Sequence, residues 1–176
     1  MPKTKDKIRL LLPSPEMKNQ VMAFRAAFLE NGEEWIHGSF ALGIFDDFER
    51  WFAAQRASHM GQEVGGQHPS STFFAMRTKD QKIIGVANIR HFLTDETYHN
   101  GHISYSVLPE ERNKGYGTEI LRLALIKAGE MGIIEPVVSH DKGNRASRKV
   151  IIRNGFSFRS EYTRDNGKTL CIYVRD

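Results

Sequence analysis

Cysteine is almost absent: Cys171 is the single one in 176 residues. One thiol excludes an intramolecular disulfide framework and any cysteine-based metal cluster. Long apolar runs are missing as well, since none approaches the roughly 20 residues that a membrane span requires. The start, "MPKTKDKIRLLLPSPE", is basic, but its apolar run from Ile8 to Leu12 is short and interrupted by Arg9. That is too short for a secretory signal, so a cytoplasmic location is the default expectation. There is no concentrated basic stripe interleaved with aromatics, the footprint of a nucleic-acid binder. His99 and His102 have no carboxylate or cysteine at ligand spacing, so no metal is expected.

What is present is the composition of a globular protein, 40% hydrophobic and 26% charged. The length suits one domain with one substantial core, here read as residues 1–176. The 25 basic and 21 acidic residues leave a formal charge of +4. Such an excess suits an anionic small molecule and an ordinary surface equally.

Periodicity supplies the elements. Ile8 to Leu12 reads as a short buried strand stopped by Pro13. Met17, Val21, Phe24 and Phe28 recur on one face of a helix that Asn31-Gly32 ends. Asp46, with Glu49 three residues on, announces a second helix. The segment between them, "WIHGSFALGIF", is rich in aromatics and glycine without a clear period, as in a packed loop or part of a pocket. Gly61 to Ser71 reads as a surface loop. "TFFAMR" and "KIIGVANIRHF" form a hairpin around "TKDQ". In "GHISYSV", Ile103, Tyr105 and Val107 take one face and His102, Ser104 and Ser106 the other. A helix follows Gly117, "PVVSH" is a strand, and Asn144 to Asn154 is a helix stopped at Gly155. "FSFRSEYT" and "TLCIYVR" close the chain as a hairpin around Asn166-Gly167. The order is strand, two helices, three strands, helix, strand, helix, two strands, an α/β arrangement with helices on the faces of a mixed sheet.

The stretch "EERNKGYGTEILRLAL" places Arg112, Lys114 and two glycines at the mouth of a helix. Unpaired N–H groups at a helix start attract anions, and glycines let the main chain approach them closely. A Walker A loop is absent. The Rossmann fingerprint fails too, because Ile120 stands where its third glycine belongs and the stretch lies late in the chain.

The remaining pattern, R-x-x-G-x-G after a strand and before an apolar helix, resembles the acetyl-CoA pyrophosphate loop of the GNAT N-acetyltransferase superfamily. "NRASRKVIIRNGF", about 30 residues downstream, resembles that superfamily's second block, N-x-x-S/A followed by G-F. The strings "GVANIRHFL" and "GHISYSVLPEERNKGYGTEILRLAL" are similar to a bacterial subgroup of predicted acetyltransferases. The likeness is clear from about Thr72 to Phe156 and looser before, through "HGSF" and "DDFERWF".

The resemblance implies a single GNAT domain, with a mixed, largely antiparallel sheet of about seven strands between helices. It implies an enzyme that transfers an acetyl group from acetyl-CoA, as co-substrate, to a primary amine by direct attack in a ternary complex. Val107 and Leu108 would hold the pantetheine arm through main-chain groups. Arg112, Asn113, Lys114, Gly115, Tyr116, Gly117 and Thr118 would wrap the pyrophosphate, and Asn144 and Ser147 would face the thioester. The strand ending at Val107 would splay from the one with Val137 and Val138. No nucleic-acid or membrane partner is implied, while terminal strands of the family often mediate homodimers.

Catalysis needs a neutral amine, and therefore a base, as well as a proton donor for the thiolate. Many members carry a tyrosine four residues before the glycine of G-F, where this chain has Ile151. Ser147 then takes the acid role, as in relatives of the ribosomal-protein acetyltransferase type. Histone-type members carry a glutamate where this chain has Gly101. His102 beside it is the preferred base, with Glu161 as another and Tyr105 disfavoured by its high normal pKa. The departures from the family pattern sustain a rival reading, a non-catalytic acyl-CoA-binding or regulatory module of the same fold. The acceptor pocket belongs to segments such as 31–45 and 61–71 and leaves the amine unidentified.

Overall fold

The computed structural model describes residues 6–176. Its strands and helices follow the expected order. They are β1 (Ile8–Leu11), α1 (Lys18–Glu30), α2 (Phe48–His59), β2 (Ser70–Arg77), β3 (Lys82–Arg90), β4 (Ile103–Val107), α3 (Tyr116–Glu130), β5 (Val137–Asp141), α4 (Arg145–Arg153), β6 (Ser157–Thr163) and β7 (Thr169–Val174). Single 3-10 turns at Tyr98–Asn100 and Pro109–Glu111 lead into and out of β4.

The seven strands form two antiparallel sheets, ordered β1-β2-β3-β4 and β5-β7-β6. The expected seven, largely antiparallel strands are present, and the expected splay between the strands of Val107 and Val137 divides them into two sheets. The break falls between β4 and β5, which touch at their starts: the His102 N–H donates to the Val137 carbonyl at 2.7 Å, and His102 Nδ1 accepts the Val137 N–H at 3.0 Å. Gly101 makes this approach feasible, because a Cβ there would lie 2.9 Å from the Val137 carbonyl oxygen. Beyond that root the two strands share no ladder. Each keeps an open edge, and main-chain groups on such an edge are available to a ligand.

Two apolar layers sandwich the first sheet. Ile103, Ile120, Leu121, Ala124, Val150 and Ile151 belong to the cluster on the α3 and α4 side, which also takes in Val138 and Tyr173 of the second sheet. Val21, Phe24, Phe28, Trp51, Phe74 and Val86 form the other, beneath α1 and α2. The alternation read in β4 is realised: Ile103, Tyr105 and Val107 join the first cluster.

Local corrections are small. Asp47, not Asp46, caps α2, its Oδ1 accepting the Arg50 N–H at 2.7 Å. β1 is an edge strand with only Ile8 buried. The segment 35–45 is a pinned loop: Ile36 and Leu42 are buried, Arg25 donates to the carbonyls of Leu42 and Gly43, and Trp51 Nε1 donates to the Ser39 carbonyl at 2.9 Å.

Candidate active site

The entry to α3 is shaped from below. Glu111 is 5% exposed, and its carboxylate takes Arg77 Nη1 at 3.1 Å and Lys114 Nζ at 3.0 Å. Burial on its own would raise the Glu111 pKa, but Lys114 and Arg77 outweigh it and the carboxyl sits below the usual glutamate range. Tyr116 is 2% exposed, and its hydroxyl accepts from Arg77 at 3.0 Å and donates to Asp6 at 2.6 Å. The Tyr116 ring is thus a buried post beneath the loop, and only its main chain faces the helix mouth.

The loop above carries two left-handed residues, Asn113 (φ 63) and Gly115 (φ 88). Successive N–H groups in such turns form a concavity that suits anions, and α3 starts there with its own unpaired N–H groups. Among the described residues no acceptor takes the N–H groups of 113–118. Thr118 Oγ1 is buried without a hydrogen-bond partner. These donors and the orphaned hydroxyl fit a phosphate-bearing ligand. Gly117 has a second, internal reason to be glycine, since a Cβ would meet Val150 Cγ2 at 3.3 Å and Tyr105 Cε2 at 3.7 Å. α3, α4 and β4 pack through this point.

Arg112 turns away from the loop. Its Nη2 donates to Glu33 at 2.8 Å, its Nε donates to the Val107 carbonyl at 3.1 Å, and the guanidinium lies 5.6 Å from the Phe28 ring centroid. Arg112 therefore clamps the end of α1 to the end of β4. The Leu108 N–H is already donated to the Ile84 carbonyl at 2.8 Å. Alternation along an antiparallel pair then turns the Val107 groups to the opposite, open edge of β4, in keeping with Arg112 reaching the Val107 carbonyl. Of the two residues expected at the pantetheine, Val107 has the available donor.

Asn144 caps α4, its Oδ1 accepting the Ser147 N–H at 3.0 Å. This fixes the first turn, and the half-buried Ser147 hydroxyl lies 3.1 Å from the Tyr105 hydroxyl. Burial pushes the Tyr105 phenol up to about 12, against a smaller opposing effect of Ser147. Tyr105 is thus protonated near neutrality. Ile151, at the position of the family's usual tyrosine, is fully buried in the core.

His102 differs from its expected role. Its Nδ1 accepts the Val137 N–H, which fixes the neutral ring with its proton on Nε2 and leaves no free lone pair for an amine proton. Its place is at the root of the splay. Glu161 is drawn to Lys142 at 2.8 Å on the exposed edge strand β6.

His37 was not singled out in the sequence. Its carbonyl accepts from Ser106 Oγ at 2.7 Å. A Cβ on Gly38 would lie 2.5 Å from the Ser104 carbonyl oxygen, so residues 37–38 rest directly on β4. Partial burial lowers the His37 pKa, while Asp141 at the end of β5 pulls it the other way. The signal available in advance was "HGSF", a glycine beside a histidine in an aperiodic aromatic segment.

Comparison with known proteins gives a family. The acetyltransferase (GNAT) domain profile matches residues 19–157. Among solved structures, the microcin C7 self-immunity acetyltransferase MccE, in complex with acetyl-CoA and AMP, is similar with a TM-score of 0.70 at 16% identity, covering 99% of this chain and 97% of that one. RimL, a ribosomal alpha-N-protein acetyltransferase in complex with coenzyme A, gives 0.68 at 16% identity, with 99% and 96% covered. A GnaT-family acetyltransferase from Bordetella pertussis gives 0.68 at 15% identity, with 99% and 98% covered. No curated protein sequence matches the chain. Among the described residues no helix is long and apolar enough to cross a membrane.

Proposed function

The chain belongs to the GNAT acetyltransferase family, and we propose that it is an N-acetyltransferase that moves an acetyl group from acetyl-CoA to a primary amine by direct attack in a ternary complex. Residues 1–176 are read as one such domain. The observation that carries the reading is the juxtaposition at Gly117. A helix mouth with unpaired N–H groups sits against Tyr105, whose hydroxyl reaches Ser147. The relatives MccE and RimL, solved with acetyl-CoA and coenzyme A, support the same ligand here.

The main chain of Asn113 to Thr118 would hold the pyrophosphate, with Lys114 adding charge at the rim. The open edge of β4 at Val107 would hold the pantetheine arm, and Asn144 would keep the first turn of α4 in place. Bound acetyl-CoA supplies an activated acyl group: the amine nitrogen forms the new C–N bond, the C–S bond breaks, and coenzyme A leaves as its thiol.

The chain contributes positions for two protons and one charge. A lysine-like ammonium has a pKa of about 10.4 and must lose a proton before it can attack. His37, neutral near pH 7 through its lowered pKa, takes that proton in place of His102. The Val107 N–H faces the negative charge that develops on the acyl oxygen, as a preorganised donor. Ser147 gives its proton to the departing sulfur and draws a replacement from Tyr105, which is then reprotonated by solvent.

The test is thiol release from acetyl-CoA over a panel of amines, with intact-mass analysis of the protein. The expected result is amine-dependent release without an acetylated protein. Acetyl-CoA binding with no amine-dependent release would favour a non-catalytic module, and acetyl carried on Cys171 would overturn direct transfer.

A further inference from the structure

Two guanidinium groups from distant segments meet beside β4. Arg90 ends β3, and its Nη1 donates to the Gly101 carbonyl at 3.0 Å. Arg164 follows β6, and its Nη2 donates to Asn100 Oδ1 at 3.0 Å. The two therefore converge on consecutive residues of the turn that leads into β4. Three other anchored arginines have acids, Arg77 with Asp80 and Glu111, Arg112 with Glu33 and Arg122 with Glu119. Arg25, held by carbonyls, stands alone, without a second guanidinium on its turn among the described residues. Neither Arg90 nor Arg164 forms an ion pair among the described residues.

Such a pair is costly as it stands. Burial and the nearby Arg164 both push the Arg90 guanidinium below its usual pKa. Burial is the larger cause of the lowered pKa of His99 and of His102, and Arg164 and Arg90 add to it at His99 while Arg90 alone does so at His102. His99, next to Asn100 in the same turn, stacks on Tyr162 with ring centroids 3.9 Å apart. A partly desolvated positive pair without a counter-charge calls for an anion, and a guanidinium fork matches a carboxylate.

The location says which anion. Beside the burial that lowers the His37 pKa, Asp141 and Glu33 raise it and Arg164 and Lys168 lower it, so charges of both signs act on this imidazole. Residues 37–38 rest on β4 at Ser104 and Ser106, a few residues beyond the turn at Asn100 and Gly101 that holds both guanidiniums. Arg164 therefore lies near the imidazole proposed to receive the amine proton, with Asp141 within reach to attract an ammonium. Resting on the proposed amine acetylation, we propose that the acceptor carries a carboxylate or a comparably compact oxyanion, held by Arg90 and Arg164 while its amine faces His37. The substrate class is a small zwitterion, of which an amino acid is the simplest case. A polyamine, cationic throughout, is repelled at this spot.

The test compares free L-amino acids, their methyl esters, aminomethylphosphonate and spermidine as acceptors in a thiol-release assay. Wild type is expected to favour the oxyanion-bearing amines over the esters and spermidine by about tenfold or more in kcat/KM. Arg164→Gln, and Arg90→Gln if it folds, should erase that preference by raising KM for the acids, with acetyl-CoA affinity in calorimetry unchanged. Equal use of acids and esters, or variants that keep the preference, would overturn the proposal while leaving amine acetylation intact. A second measurement covers the case in which no amine is acetylated: with the α3 mouth occupied by saturating coenzyme A, inorganic phosphate should raise the melting temperature of wild type and not of Arg164→Gln. Identical responses would overturn the anion site independently of catalysis.

Discussion

The hydroxyls of Tyr105 and Ser147 stand 3.1 Å apart and join the middle of β4 to the first turn of α4. Serine hydroxyls are poor acids in isolation, but this one has a partly buried, protonated phenol behind it. When Ser147 directs its proton at a departing sulfur, its oxygen can still accept from Tyr105. The pair should therefore act as one donor. Tyr105→Phe is expected to lower kcat by about tenfold while acetyl-CoA affinity stays within about twofold, since general acid–base contributions span factors of about 10²–10⁴. Steady-state kinetics with calorimetry separates this outcome from general damage to the site, which would weaken binding as well.

Proton removal should follow His37. Protonation of an imidazole removes its acceptor lone pair, so kcat/KM should fall on acidification and plateau above the folded His37 pKa. Burial holds that value below the usual histidine pKa of about 6.5, so the acid limb belongs below that point. His37→Asn should abolish the limb and reduce the plateau, whereas His102→Asn should leave the limb in place. A pH–rate profile of the three proteins decides between them.

The loop glycines have different tasks. Gly115 has φ 88, and Gly115→Ala should cost about 1–2 kcal/mol of stability in urea unfolding, because a left-handed backbone disfavours a Cβ. Gly117→Glu places a negative charge at the mouth of α3 and should abolish acetyl-CoA binding in calorimetry. A folded Gly117→Glu protein that still binds acetyl-CoA would remove the loop from the site.

Glu111 should govern acid stability. A carboxylate with a depressed folded pKa contributes stability that is complete above its unfolded pKa of about 4.3 and lost as pH falls through the folded value. Glu111→Gln leaves Arg77 and Lys114 without their shared acid. It is expected to cost about 3 kcal/mol at pH 7, with the loss shrinking as pH falls below the ordinary glutamate range. Urea melts at neutral and acid pH give the two values.

The sequence revealed the element order because each element had its own local signal, and the alternation in "GHISYSV" assigned the faces of β4 correctly. It also marked the helix mouth, through the pairing of "RNKGYG" with "NRASRKVIIRNGF". What it could not reveal were relationships made by packing. Whether the Leu108 N–H is free depends on the partner register of β3, and the tautomer of His102 depends on where β5 begins. Arg112 and Tyr116 were read as ligand groups because of their position in the motif. Their side chains instead bind Glu33 and Asp6, residues 79 and 110 positions away. His37, Arg90 and Arg164 carried no motif at all. Only the folding of separate segments onto β4 brings them together.

The central claim is that the α3 mouth presents an acetyl thioester to Ser147. Its most direct test is a single-turnover measurement in which wild type and Ser147→Ala, each preloaded with acetyl-CoA, are mixed with saturating amine. Equal loading and transfer slower by about 10²-fold in Ser147→Ala are predicted. Transfer at the wild-type rate would contradict the account.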